Sequence, residues 1–243
     1  ATMIKTIAER LRDHRDIESA LRAAHTVAEL VPDDTDWELL RIQMLLIGGR
    51  HADVIQALDR FESHAVTQPL ERRILRAHAS LGMNRIEDAA RLVAGLPDNL
   101  RQDPRVAIIL AEIAYRSNDP ESVGTHVACA ARWHPNLPRA RAMFPFLERY
   151  RQWRAIAAAD YPLAYTDPET ILAAIAAHMN LDHVPEVANL TRQFLDNWPK
   201  DLRGLTPLFY LAKKQPGSPW EDLLARHFVG YIQLQPSPDR LYE

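Results

Sequence analysis

The chain has 243 residues, 47% of them hydrophobic, enough for one or two ordinary domains or one extended array with a packed core. A formal net charge of −3 gives no global pull toward nucleic acid or an anionic membrane. One cysteine, Cys129, excludes an internal disulfide and a cysteine-rich metal site, and eight glycines are few for a β-rich chain.

Taken in order, the apolar spacing predicts paired helices throughout. The first pair covers 3–13 and 16–31 and ends at Pro32-Asp33-Asp34. The second covers 36–48 and 51–64 around Gly48-Gly49, and the third covers 69–82 and 85–95 around Gly82-Met83-Asn84. Pro97 and Asn99 mark a longer connection to the fourth pair, 104–117 and 119–134. Within that pair, Asp119 can cap the second helix, with Pro120 at its first position, where a missing N–H costs little. The fifth pair covers 138–150 and 152–160, the sixth 168–180 and 184–197, and the seventh 203–214 and 219–233. Prolines gather at the joints, where they stop helices.

Small apolar anchors recur in the second helices: Ala20, Val54, Ala89, Val123, Ala157, Val187 and Leu224. Their spacings are 34, 35, 34, 34, 30 and 37, and a proline follows four of them by twelve residues. A helix–turn–helix unit near 34 residues resembles the tetratricopeptide repeat. The family's places are held by Ile4, Ile7, Ala8, Leu11, Ala20, Ala24, Val27 and Pro32 in the first repeat. In the fourth they are held by Ala107, Leu110, Ala111, Ala114, Val123, Val127, Ala130 and Pro135. In the last they are held by Leu208, Leu211, Ala212, Gln215, Leu224, Phe228, Tyr231 and Pro236. Side-chain size is kept while identity is not, and the signature glycine is alanine. The resemblance implies an all-α fold, a right-handed α-solenoid of about seven antiparallel helix pairs in a single domain. Its repeats are expected at 1–34, 35–68, 69–103, 104–137, 138–166, 167–202 and 203–237.

The search for chemistry returns little. Among ten histidines, His178 and His183 stand five apart and His126 and His134 eight apart, without an H-E-x-x-H motif. They read as solvated surface histidines. Cys129 reads as a buried small hydrophobe. No nucleophile elbow, P-loop or dinucleotide fingerprint occurs, so neither catalysis nor a cofactor is expected. Arg139 to Arg154 interleaves five arginines with Phe144, Phe146, Tyr150 and Trp153. That mixture suits a protein or peptide contact, although core aromatics with solvated arginines would give the same pattern. The chaperone carboxylate clamp known in the family is absent: Lys5 fits, but Glu9 stands where asparagine is expected, and Leu39, Leu40 and Gln43 replace the polar set.

The expected function is a non-catalytic scaffold that binds another protein or peptide on the concave face lined by the first helices. The candidate residues are Glu9, Arg12, Gln43, His78, Glu112, Arg116, Arg139, Phe146 and Tyr150. Alternatives are a docking or regulatory domain of a larger bacterial glycan-synthesis or secretion machine, or a groove for a polymer. Nucleic acid is disfavoured by the acidity. No run of apolar residues reaches the roughly 20 needed to span a bilayer. The first ten residues lack a signal peptide's apolar core, so a cytoplasmic location is expected, or a periplasmic one if a signal or anchor has been removed. Phe228, Tyr231 and Ile232 make the last helix apolar where a solenoid needs a polar cap. The expectation is therefore that the chain continues into a further helix or domain, or pairs with a second copy through its terminal repeats.

Overall fold

A computed structural model describes residues 17–30, 35–62, 69–133, 137–160 and 165–234. Among these residues all regular structure is helical. The chain divides into two compact units, Ala1–Ser117 and Asn118–Glu243. The first unit holds α1 (Ile17–Leu30), α2 (Thr35–Ile47), α3 (His51–Glu62), α4 (Pro69–Gly82), α5 (Ile86–Ala94), the short α6 (Asp98–Arg101) and α7 (Pro104–Arg116). The second holds α8 (Pro120–Ala130), α9 (Leu137–Arg141), α10 (Phe144–Arg149), α11 (Trp153–Ala159), α12 (Pro168–Asn180), α13 (Val184–Asn197), a 3-10 turn at Leu202–Gly204, α14 (Leu205–Lys214) and α15 (Pro219–Leu234). The predicted helix at 3–13 and the proline stops at 32, 135 and 236 lie outside the described residues.

Helix starts follow from one dipeptide. Asp103-Pro104, Asp119-Pro120 and Asp167-Pro168 each open a helix, with the aspartate at the N-cap and proline at the first position. Asp103 accepts the amide of Arg105 at 2.8 Å, Asp119 that of Ser122 at 3.2 Å and Asp167 that of Thr170 at 2.8 Å. Each satisfies an amide that the first helical turn would otherwise orphan.

The turns between paired helices share one backbone device. Gly49, Asn84, Asn118, Arg151, Asp182 and Gly217 all have positive φ, between 56° and 74°. They follow one another at intervals of 35, 34, 33, 31 and 35 residues. A left-handed residue here ends the first helix and sends the chain back. Five of the six are glycine, asparagine or aspartate, the residues that tolerate it best, and Arg151 is the exception.

Five residues after each of the first five of these turn residues comes a fully buried apolar side chain: Val54, Ala89, Val123, Ile156 and Val187. Four of these are the anchors read from the sequence, and Ala20 is also fully buried. The fifth corrects the expected register. Ile156, not the half-buried Ala157, takes the core place, so the spacings of 34 and 30 on either side of it become 33 and 31. In α15 the half-buried Leu224 yields to Trp220, which is 7% exposed.

The helix expected over 138–150 is broken into α9 and α10. Pro145 lies in its middle and cannot donate to the carbonyl four residues back, so the chain turns at Ala142-Met143 and starts again. The connection after Pro97 is not bare loop but contains the single helical turn of α6.

Packing is between neighbours. In the first unit α1 to α5 each pack on the next, α5 packs on α7, and α2, α4 and α7 also pack in series. One core joins Leu39, Ile42 and Leu45 of α2 to Val54 and Leu58 of α3 and Leu75 of α4. In the second unit α8 packs on α9, α10 and α11, and α11 through α15 each pack on the next. There α10, α12 and α14 form the corresponding series. Each unit therefore carries a row of first helices held side by side.

Candidate functional site

Two polar ladders tie each row of first helices together. At the N-terminal ends, Arg105 Nη1 of α7 donates to Glu71 of α4 at 2.8 Å. Arg203, beside α14, makes the same contact with Glu169 of α12. Both pairs are separated by 34 residues. Each arginine also forks onto its own cap, Arg105 onto Asp103 and Arg203 onto Asp201, with Nη2–Oδ2 distances of 2.7 Å. Hydrogen bonds from these guanidinium groups are the leading cause that holds the Asp103 and Asp201 carboxyls below their ordinary range.

At the C-terminal ends, the first helix reaches back to the left-handed residue of the preceding turn. Arg116 donates to the Leu81 carbonyl and, at 3.4 Å, to Asn84 Oδ1. Tyr150 Oη donates to Asn118 Oδ1 at 3.0 Å. Lys214 Nζ lies 2.6 Å from Asp182 Oδ1, which also accepts Tyr210 Oη at 2.6 Å. The Lys214 and Tyr210 contacts hold the Asp182 carboxyl low.

Glu9 and Arg12 lie outside the described residues. Gln43, His78 and Glu112 are half-buried on α2, α4 and α7, the helices of the first row, and Gln43 Nε2 donates to Glu71 at 3.3 Å. Arg139 is half-buried on α9. Phe146 and Tyr150 pack with ring centroids 4.9 Å apart, with Phe146 half-buried and Tyr150 39% exposed. Two of the nine, Arg116 and Tyr150, therefore already serve the protein internally as clamps on the preceding turn. The ladder partners Glu71, Arg105, Glu169, Arg203 and Lys214 escaped the sequence reading. Their signal is the pair Asp-x-Arg at 103–105 and 201–203 with a glutamate 34 residues upstream of each arginine.

The histidine pair departs most from expectation. His178 is 5% exposed, not solvated. Its Nε2 is 3.1 Å from Asp160 Oδ2 and its Nδ1 is 3.1 Å from Nδ1 of the exposed His183. A carboxylate only accepts, so Nε2 of His178 carries a proton, and a neutral His178 then accepts from His183. Asp160 also accepts the Tyr165 hydroxyl and lies 3.8 Å from Arg141 Nη2. Arg141, 7% exposed, stacks its guanidinium 3.7 Å from the Tyr165 ring centroid. Burial first, and then the Asp160 charge, pushes the Tyr165 phenol far up. The arginine segment is thus not uniformly solvated: Arg141 belongs to the core and Arg149, Arg151 and Arg154 to the surface. The order Asp160–His178–His183 puts a second imidazole where a catalytic dyad would present a hydroxyl or thiol. What the network does is join α9, α11, α12 and the connection at Tyr165 through polar contacts that converge on Asp160.

Cys129 is half-buried rather than enclosed. His126 is half-buried as well, and burial lowers its pKa against the opposing pull of Asp119. Among the described residues no cluster of three or more His, Cys, Asp or Glu could hold a metal ion. Among them, too, no helix is long and apolar enough to cross a membrane. Compared with known proteins, the chain matches no protein-family model and no curated protein.

Proposed function

We propose that the chain is a tetratricopeptide-like, right-handed α-solenoid of about seven helix pairs that binds a protein or peptide and has no catalysis of its own. The observation that supports this is the alignment of first helices, α2 with α4 and α7, and α10 with α12 and α14. Side-by-side first helices present a continuous strip of side chains, and a repeat array uses such a strip as an extended binding surface. Gln43, His78 and Glu112 on the first unit's row and Phe146 on the second unit's row are half-buried, and they are the residues of each row that this reading assigns to ligand contact. Arg116 and Tyr150 contribute chiefly by holding the strip's turns in place.

The test is affinity capture from the native source, with mass spectrometry of what is retained. It is repeated with Gln43→Ala, His78→Ala, Glu112→Ala and Phe146→Ala combined. One specific, stoichiometric protein, lost by the fourfold variant at unchanged helix content and melting temperature, is the expected result. Unfolding of the fourfold variant would mean that the strip is core and not surface.

A further inference from the structure

Beside the row of first helices in the first unit, a groove runs between α4 and α5 and touches α3. It encloses about 390 Å3. Four arginines line it: Arg73 and Arg76 from α4, Arg91 from α5 and Arg85 from the turn between them. Ile55 and Leu92, both half-buried, supply its apolar wall.

The charges are not balanced. Arg76 pairs with Asp59 at 2.7 Å and Arg91 pairs with Asp88. Arg73 spends one N–H on the neutral carbonyl of Gly95, at 3.0 Å. The exposed Arg85 side chain makes no hydrogen bond or ion pair among the described residues. Two guanidinium charges are therefore left without a carboxylate among the described residues. Arg85 is the residue that opens α5, and Arg73 meets Gly95 where α5 closes. Ten residues of helix separate those ends, about 15 Å at 1.5 Å per residue. An extended peptide advances roughly 3.3 Å per residue, so about four residues bridge the same distance.

We infer that this groove binds an extended acidic peptide in which two carboxylate side chains, about four residues apart, meet Arg73 and Arg85 while an aliphatic side chain between them lies on Ile55 and Leu92. Guanidinium recognises carboxylate in a planar, two-pronged contact, and two such contacts at fixed spacing set the register. A single-stranded nucleic acid would want aromatic faces for its bases, and no aromatic side chain lines the groove. None of the nine residues read as the inner-face site lines it either, so the groove is a second place on the molecule.

The experiment uses the full chain and a fluorescein-labelled heptapeptide, Gly-Glu-Ser-Leu-Ser-Glu-Gly, read by anisotropy. The probes beside it are the same peptide with both glutamates changed to glutamine and a labelled thymidine oligonucleotide of matched length. Saturable binding of the acidic peptide is expected, weakened as salt rises from 50 to 200 mM, with the glutamine peptide roughly tenfold weaker. Arg85→Glu, at an exposed turn residue, is expected to weaken the acidic peptide by roughly tenfold or more, and Arg73→Glu likewise. Circular dichroism of both variants should match the parent. Equal binding of the two peptides, tighter binding of the oligonucleotide, or indifference to Arg85→Glu in a folded protein overturns the groove. Peptide binding that persists in Arg85→Glu but disappears in the fourfold inner-face variant would place the ligand on the first helices, and so separates failure of the groove from failure of the proposed function.

Discussion

Tyr150 donates its hydroxyl hydrogen bond to Asn118 Oδ1, 32 residues earlier, at the one backbone position of that turn with a left-handed conformation. Arg116 and Asn84 stand at the same separation, and so do Lys214 and Asp182. The side chain that closes one helix thus holds the turn of the hairpin before it.

Tyr150→Phe tests the worth of that clamp. The bond is exposed, so its loss should cost only about 0.5–1.5 kcal/mol. A double-mutant cycle with Asn118→Gly, followed by urea denaturation, should show coupling between the two sites. Strict additivity would mean that the hydroxyl faces solvent.

Register in α11 is open to a paired comparison. Ile156→Ala empties a fully buried site and is expected to cost about 2–5 kcal/mol. Ala157→Ser, one residue on and half-buried, should stay within about 0.5 kcal/mol of the parent. A larger loss at 157 than at 156 would restore the spacing of 34 after Val123.

Asp160 carries more of the second unit than its exposure suggests. Asp160→Ala removes the partner of His178, Tyr165 and Arg141 together. Breaking a buried ion pair by removing one partner costs about 3–5 kcal/mol, so this variant should be among the least stable single substitutions. A change in melting temperature no greater than that of Ala157→Ser would show the network to be dispensable.

Glu148 predicts a pH dependence. Burial, and then the nearby Glu169 charge, raise its carboxyl above the ordinary value of 4.5. The folded state therefore holds this proton more tightly than the unfolded chain does. Its contribution is full below 4.5 and is lost as pH rises through the folded value. Glu148→Gln should accordingly melt higher than the parent at neutral pH and converge with it in acid. A variant that melts lower than the parent at neutral pH would reverse the sign.

Ala89 sits at zero exposure where α5 meets α4. Ala89→Phe is expected to cost about 1–3 kcal/mol through overpacking. Calorimetry would show it as a lower melting temperature with the same helical signal.

Most of the helix pattern was legible because it rests on strong local rules. The Asp167-Pro168 cap and the apolar spacing place α12 and α13 at their observed ends. What stayed hidden was decided by contacts across hairpins. Pro145 stands where one helix is expected over 138–150, and its missing N–H makes it open a second, shorter helix instead. Ile156 and Ala157 are both apolar, so the sequence alone does not say which faces inward. His178 looked like any surface histidine, because its partners Asp160 and Tyr165 come from another helix end and a connection. The sequence puts Arg116 and Tyr150 among the concave-face candidates because a long polar side chain gives no hint that the preceding turn will receive it.

The ladders also bear on the order in which this chain can be built. Their rungs join residues 28 to 35 positions apart, and every rung binds a newer hairpin to the one already synthesised. A nascent chain leaving the ribosome would find each docking partner folded and waiting, never one still to be translated. Domains fold as units from the N-terminus during synthesis, and contacts of short sequence separation form fast. Growth of this molecule can therefore proceed as accretion, one hairpin latched at a time.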